Sequence, residues 1–390
     1  MNIAQALKQR KHSVLNRNRF VIEGRAGIKT TIDKQEYCSF VSNDYLGLSK
    51  HPGVIKAFKQ GLKQYGLGSG ASPLLGGYSR VHQALEEELA DFLGYPKTLL
   101  FSSGYMANMA VITTLVQRND CIFSDRLNHA SLVDAIRLTQ ANTIRYKHLD
   151  MAELTNQLSK STQEKKPWII TEGVYSVEGD IAPLNSLVKI ANEHQATLVV
   201  DDAHGIGVLG KRGAGSLEHH GLNPSQVPII VGNLSKAFGC FGAFVAGSET
   251  WIEALIQFAR PYLYSTAFPP ALAGAARVSL KILKKEHGRR EHLQRLIQRF
   301  QTGIEQLGLT RLPSHTPIQL LMLNDSAAAL ALNRYLKSRG LLTGALRPPT
   351  VPLHTDRLRI TFSANHTEIA IDYLLSVLED AKKLGMVAAQ

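Results

Sequence analysis

Lys236 stands in a glycine-punctuated loop, Asn233-Leu234-Ser235-Lys236-Ala237-Phe238-Gly239, directly behind the short apolar run Val227 to Val231. The run reads as a buried strand and the glycines as the break after it. An ammonium held away from water is disfavoured in its charged form. The neutral amine that results is the form that condenses with an aldehyde. Taken alone, a loop lysine is far more often a surface residue, so the weight falls on its companions.

Four other segments end apolar runs with groups that could do chemistry. Thr197 to Asp202 delivers Asp201, Asp202 and His204; a buried carboxylate there needs a cationic partner, and a protonated pyridine nitrogen would serve. A helix cap or surface ion pair is the plainer reading of Asp201. Ser124 to Ala130 brings His129, which by itself is more simply a turn histidine. Ser102-Ser103-Gly104-Tyr105 places a helix start at a strand end, where free N–H groups and the helix dipole suit a phosphate dianion. Glu172-Gly173-Val174-Tyr175-Ser176 adds the Ser176 hydroxyl. A loop lysine, a carboxylate, imidazoles, a hydroxyl and an anion-binding helix start together describe a pocket for pyridoxal phosphate.

The elements that must position these groups alternate. Strand-like runs at 98–101, 120–124, 144–148, 168–172 and 197–202 are separated by helical patterns at 104–116, 130–138, 151–158 and 184–193. Continuous apolar strands separated by helices predict an α/β fold, a mostly parallel sheet covered by helices on both faces. Ligands of such sheets lie beyond the carboxyl ends of the strands, where the candidate residues sit. Before this pattern come an amphipathic helix over 2–18, a hairpin to about residue 41, a helix from Pro52 to Tyr65 and a glycine-dense loop at 66–77. After it come a long helical pattern through 270–308, a strand from Arg357 to Phe362 and a helix from Thr367 to Leu384. The expected organisation is an N-terminal helix and hairpin segment (1–45), a large cofactor-binding α/β domain (46–285) and a smaller C-terminal α+β domain (286–390).

Gly205-Ile206-Gly207-Val208-Leu209-Gly210 matches the dinucleotide fingerprint and follows a strand, but Lys211-Arg212-Gly213-Ala214-Gly215 cannot sustain the helix that fingerprint requires. It is read as a loop, and a nicotinamide dehydrogenase is set aside. The 390 residues are 44% hydrophobic and 19% charged, an ordinary globular balance. A net charge of +12 favours anionic partners, yet the basic residues are dispersed, so a coenzyme A thioester suits it better than nucleic acid. Cys38, Cys121 and Cys240 form no CxxC pair and point to a reducing cytosol. No apolar run reaches membrane-span length, the N-terminus lacks the apolar core of a signal peptide, and the histidines show no metal-ligand spacing.

Lys236 within Asn-Leu-Ser-Lys-Ala-Phe-Gly, Asp201-Asp202-Ala203-His204-Gly205, Ser42 to Leu48, Ser103-Gly104-Tyr105 and Asn128-His129-Ala130-Ser131 resemble the α-oxoamine synthases, a fold-type I pyridoxal phosphate family, over about residues 15 to 380. The resemblance implies that Lys236 bonds the cofactor aldehyde and later acts as base at Cα. It implies that Asp201 keeps the pyridine nitrogen protonated, that His129 stacks on the ring, and that His204 and Ser176 contact the phenolic oxygen. Gly104, Tyr105 and Asn233 would bind phosphate, with Ser265 and Thr266 reaching over from the neighbouring subunit of an obligate homodimer. Asn233 replaces the threonine usual in the family, and an amide can also donate. Arg359 would bind the amino-acid carboxylate, Thr350 would line the substrate site, and Arg17 would face the acyl substrate. Within the family, Arg347 to Pro352 and Arg357-Leu358-Arg359 imply L-alanine and a pimeloyl thioester as substrates, while sister enzymes join glycine or serine to other thioesters.

Overall fold

The computed structural model describes residues 2–12, 19–161 and 166–387. The chain forms two compact units: Asn43–Ser176 with Asp180–Glu291, and Met1–Ser42 with Val177–Gly179 and His292–Gln390.

The larger unit is built on a seven-stranded sheet. Across it run Lys97–Phe101, Ala243–Gly247, Ile229–Asn233, Thr197–Asp201, Pro167–Glu172, Cys121–Asp125 and Asn142–Tyr146. Every neighbouring pair is parallel except those made by Ala243–Gly247, which runs antiparallel to both its neighbours. Strands such as Cys121–Asp125 and Thr197–Asp201 are buried at every residue, because helices cover both faces and no position meets water. Leu99, Ile122, Trp168, Ile170, Val199 and Val231 form one face of the core, against Ala107 and Val111 from one helix and Leu132 and Ile136 from the next. Those helices, Gly104–Leu115 and Ala130–Thr139, each start at a strand's carboxyl end. Ser103 caps the first, its Oγ accepting the Met106 N–H at 3.2 Å, which satisfies one of the free donors of the opening turn.

Two expectations change in detail, and a third is met as far as the described residues go. The helical pattern through 270–308 is two helices, Pro270–Lys285 and His287–Gln306, with Glu286 leaving helical geometry at the C-cap (φ −94, ψ 64). Of the amphipathic helix expected over 2–18, Ile3–His12 is helical and the remainder lies outside the described residues. Ala243–Gly247 is an additional strand, fully buried. The glycine-rich 205–210 segment is a series of turns, with Gly207 and Gly210 at φ 93 and 84. The buried Asp202 carboxyl pins it by accepting the Ser216 N–H at 2.8 Å and the Ser216 hydroxyl.

In the smaller unit, Gly24–Ala26, Lys29–Ile32 and Gln35–Ser39 form an antiparallel sheet that Leu341–Leu342 extends in parallel. The segment set apart as 1–45 is therefore, up to Ser42, hydrogen-bonded into the C-terminal unit. A second sheet pairs Arg357–Thr361 antiparallel with Ile318–Met322 and Gly344–Leu346. Helices Ser326–Ser338 and Glu368–Lys383 belong to this unit as well. Its aromatic centre stacks Phe40 on His366 (ring centroids 4.4 Å) and sets Phe300 against Phe362 (5.1 Å).

Candidate active site

Asp201 and Glu172 are the last residues of adjacent parallel strands and stand in register. Asp201 is 6% exposed, and both its oxygens accept: Oδ2 from Asn108 Nδ2 at 2.6 Å, Oδ1 from the Ala203 N–H at 3.0 Å. Nδ2 of Asn108 also donates to Ser131 Oγ at 2.9 Å. His129 caps the Ala130–Thr139 helix, its Nδ1 accepting the Ser131 N–H at 3.2 Å and lying 2.7 Å from Ser131 Oγ. Burial holds the His129 pKa below its ordinary value; the Asp201 carboxylate opposes this and the Lys236 ammonium assists it. One imidazole that feels both charges places Lys236 and Asp201 in the same site.

Lys236 sits in a tight turn closed by backbone bonds from Gly239 N to Lys236 O (2.8 Å), Cys240 N to Leu234 O (2.9 Å) and Leu234 N to Gly242 O (2.9 Å). The turn needs Gly239, which has φ 62 and lies so close to the Leu48–Ser49 backbone that a Cβ would not fit. Leu234, Ala237 and Phe238 are buried around the half-buried lysine. The Lys236 charge acts on His129, Glu172 and Asp202 alike. His204 is 5% exposed, with Nδ1 2.6 Å from the hydroxyl of fully buried Tyr45.

The start of the Gly104–Leu115 helix is shaped for an anion. Asn233 Oδ1 accepts from Ser235 N at 2.7 Å and Ser235 Oγ at 2.6 Å, which turns its Nδ2 toward Gly104. A Cβ at Gly104 would meet that Nδ2 at 3.0 Å, so glycine lets the donor approach the helix terminus. The Tyr105 hydroxyl donates to Asp134 Oδ2 at 2.7 Å. Ser265 and Thr266 line a small cavity with Ser102 and Met106 of the same chain, beside this terminus.

The strand ends thus bring together Lys236, Asp201 and His129, with Glu172 between the last two. Ser176 follows Glu172 in the chain, and Glu172 accepts the backbone N–H groups of both His129 and Ser176. Its own pKa is raised well above the ordinary carboxyl value, first by complete burial and then by the Asp201 charge. Glu172 Oε1 and Asn108 Oδ1 are buried with no hydrogen-bond partner among the described residues. Arg359 and Thr350 lie in the smaller unit: Arg359 Nη1 donates to Thr361 Oγ1 at 3.0 Å, and the exposed Thr350 donates its N–H to Arg347 O at 2.9 Å. Arg17 is outside the described residues. Asn108, Ser131, Tyr45 and the Glu172 carboxyl escaped the sequence reading. For Asn108 there was a signal, a lone amide in the otherwise apolar Met106–Ile112 stretch.

Residues 35–378 match the model of the aminotransferase class I and II family. The chain is 50% identical over 373 residues to an 8-amino-7-oxononanoate synthase of Thioalkalivibrio sulfidiphilus, covering 96% of this chain and 95% of that one. It is 49% identical over 383 residues to one of Saccharophagus degradans, covering 98% and 96%. Among solved structures, a Sphingomonas wittichii serine palmitoyltransferase superposes with TM-score 0.94 at 30% identity, over 99% of this chain and 98% of that one. A lysine-to-alanine variant of the serine palmitoyltransferase from S. paucimobilis, with bound PLP–myriocin aldimine, gives 0.93 at 30%, over the same shares. The 8-amino-7-oxononanoate synthase of Francisella tularensis gives 0.78 at 35%, over 90% of this chain and 99% of that one. The chain belongs to the class I and II aminotransferase family and, within it, to the 8-amino-7-oxononanoate synthases.

Proposed function

We propose that this chain condenses L-alanine with a pimeloyl thioester, with loss of carbon dioxide, to make 8-amino-7-oxononanoate for biotin synthesis. The observation that carries the proposal is the meeting of Lys236, Asp201 and His129 at the carboxyl edge of the sheet, in a chain half identical to enzymes of that name. The cofactor is pyridoxal 5′-phosphate, and the residues fit it. Asp201 is a buried acid with no cation bonded to it among the described residues, Lys236 an amine within electrostatic reach, and Gly104 with Asn233 Nδ2 an N–H cradle cleared of any Cβ.

When bound, the cofactor supplies an electron sink for negative charge at the Cα of the amino acid. Lys236 Nζ would hold the aldehyde of the cofactor and, with alanine bound, would accept the Cα proton. Asp201 holds a proton at the ring nitrogen, an interaction aimed at charge that develops only during reaction. His129 presents its ring face to the cofactor; Gly104, Tyr105 and Asn233 bind phosphate, joined by Ser265 and Thr266 of a second copy in a homodimer. Ser176 and His204 contact the phenolic oxygen, and His204 is the acid at the ketone. Arg359 pairs with the alanine carboxylate, Thr350 lines the substrate site, and Arg17 faces the acyl chain. The bond from Cα to the acyl carbon forms as the thiolate leaves, carbon dioxide follows, and Lys236 returns a proton to Cα.

The protein works in the cytoplasm on this reading; no described helix is long and apolar enough to cross a membrane. The deciding experiment mixes the purified protein with alanine, glycine or serine and a panel of acyl thioesters, and identifies products by mass. Preference for glycine or serine would transfer the assignment to a sister synthase. Light scattering tests the dimer: a fully active monomer would contradict a shared site.

A further inference from the structure

Asn108 and Ser131 lie on two helices rather than at a strand end or in the lysine loop, yet both are almost wholly buried (2% and 1% exposed) and their polar atoms run in one line between two site residues. The acceptor-only carboxylate of Asp201 fixes which way the Asn108 amide faces: Nδ2 must point at Oδ2, 2.6 Å away. The second hydrogen of Nδ2 then goes to Ser131 Oγ at 2.9 Å. That oxygen, having accepted, sends its own proton on to His129 Nδ1 at 2.7 Å, which also takes the Ser131 N–H at 3.2 Å. A nitrogen that accepts twice carries no proton, so the imidazole proton resides on Nε2. Every donor in the line has one consistent direction. The geometry is maintained although Asn108 Oδ1 is buried with no hydrogen-bond partner among the described residues, a cost that a purely space-filling side chain would not incur.

From this geometry we propose that Asn108 and Ser131 are a positioning pair: they orient the Asp201 carboxylate and lock His129 as its Nε2–H tautomer, so that the acid at the ring nitrogen and the imidazole on the ring face move as one unit. The pair acts through Asp201 and His129 and touches no substrate. Its role in turnover rests on the cofactor reading above, but the tautomer lock does not, and the two are tested apart.

The tautomer is read by nitrogen NMR on full-length protein with labelled histidine, the His129 signal being assigned with His129→Phe. In the wild type, with or without cofactor, Nδ1 is unprotonated; in Ser131→Ala a second tautomer gains population. Ser131→Thr, which keeps the hydroxyl, restores the wild-type signal. Cofactor titration followed by visible absorbance gives the second reading. Asn108→Ala weakens binding about tenfold to a hundredfold, the worth of a hydrogen bond to a charged group. Asn108→Asp, which sets a carboxylate against Asp201, weakens it further. Should Asn108→Ala fail to fold by circular dichroism, Ser131→Ala carries the test. An unchanged His129 signal in Ser131→Ala overturns the lock, and unchanged cofactor affinity in Asn108→Ala overturns the hold on Asp201. If the wild type binds no pyridoxal phosphate at all, the functional reading fails, while the NMR comparison still decides the tautomer lock.

Discussion

The Tyr45 hydroxyl lies 2.6 Å from His204 Nδ1, and both side chains are buried. An imidazole held at one nitrogen presents the other in a fixed direction, which acid catalysis requires. His204→Phe is expected to retain cofactor while turnover falls about a hundredfold or more, the usual contribution of positioned acid–base help. Tyr45→Phe keeps the ring and loses only the hydroxyl, so kcat falls while KM for alanine stays within about threefold, a change worth under 1 kcal/mol. Steady-state kinetics separate the two, and near-native turnover in His204→Phe would remove that residue from the mechanism.

Lys236 is the amine on which the covalent tie depends. Borohydride treatment of the protein with pyridoxal phosphate followed by peptide mapping is expected to place the label on Lys236 alone, although 22 lysines are present. Lys236→Ala should bind cofactor without a covalent bond and lose turnover by about a thousandfold, within the range for a base and nucleophile removed together. Labelling at a different lysine would displace Lys236 from its role.

Much of this site was legible because strand ends are marked twice, by an apolar run and by the polar residues that terminate it. Asp201, His129 and Ser176 were proposed as site residues that way, and the mostly parallel sheet was read from the same runs. The strand Ala243–Gly247 was not, because a strand buried on both faces looks the same whether it runs parallel or antiparallel, and this one follows the lysine loop without a helix between. Asn108 and Ser131 were missed for a different reason. The apolar neighbours of Asn108 mark it as inward-facing, but nothing in the sequence names the carboxylate 93 positions away to which it turns. The break at Glu286 was hidden because the residues on both sides of it keep helical patterning.

Asn233 offers Nδ2 to the helix terminus at Gly104, the place where the family usually has a threonine. Either side chain donates one hydrogen bond there, so Asn233→Thr should hold cofactor within about threefold of the wild type. Asn233→Leu should bind it about tenfold more weakly, having removed a donor to a dianion. Equilibrium dialysis against pyridoxal phosphate measures both, and inorganic phosphate as competitor shows whether the loss lies at the phosphate end.

Glu172 is buried and borders Asp201, and burial followed by the Asp201 charge raises its pKa well above the ordinary carboxyl value, which favours the neutral acid. Glu172→Gln preserves that shape and neutrality and should leave turnover within a few-fold. Glu172→Ala strands the N–H groups of His129 and Ser176 and should destabilise the fold by about 1–3 kcal/mol per group left unpaired. The raised folded pKa means the native state keeps a proton the unfolded chain has released. The wild type is therefore penalised as pH rises above the ordinary value of 4.5, and Glu172→Gln is not. Urea unfolding at several pH values should show the variant's stability rising relative to the wild type across that range; parallel profiles would mean Glu172 ionises freely.

His148 shows the opposite sign. Its Nδ1 lies 3.0 Å from Asp125 Oδ1 and its Nε2 2.9 Å from Asp180 Oδ2, so both nitrogens must donate and the ring is an imidazolium. Burial opposes that charge, but the two carboxylates overcome it and push the pKa up to about 10. The stabilisation is complete below the ordinary value of 6.5 and is lost as pH rises toward about 10, at a slope of about 1.4 kcal/mol per pH unit for one proton. Asp125 sets the acid limit: burial raises its pKa, but the bond from His148 and the N–H groups of Leu149 and Leu127 bring it below 3.8, so its share is lost only as pH falls past that value. The share of the unfolding free energy that belongs to His148 and Asp125, read as the difference between wild type and His148→Gln, is expected to be flat between these limits and to decline above 6.5. Because Asp125 also takes the Leu127 N–H at 2.8 Å and so shapes the turn leading to His129, the same variant should weaken cofactor binding. A difference between wild type and His148→Gln that stays level to pH 10 would show that the ring between the two carboxylates is neutral.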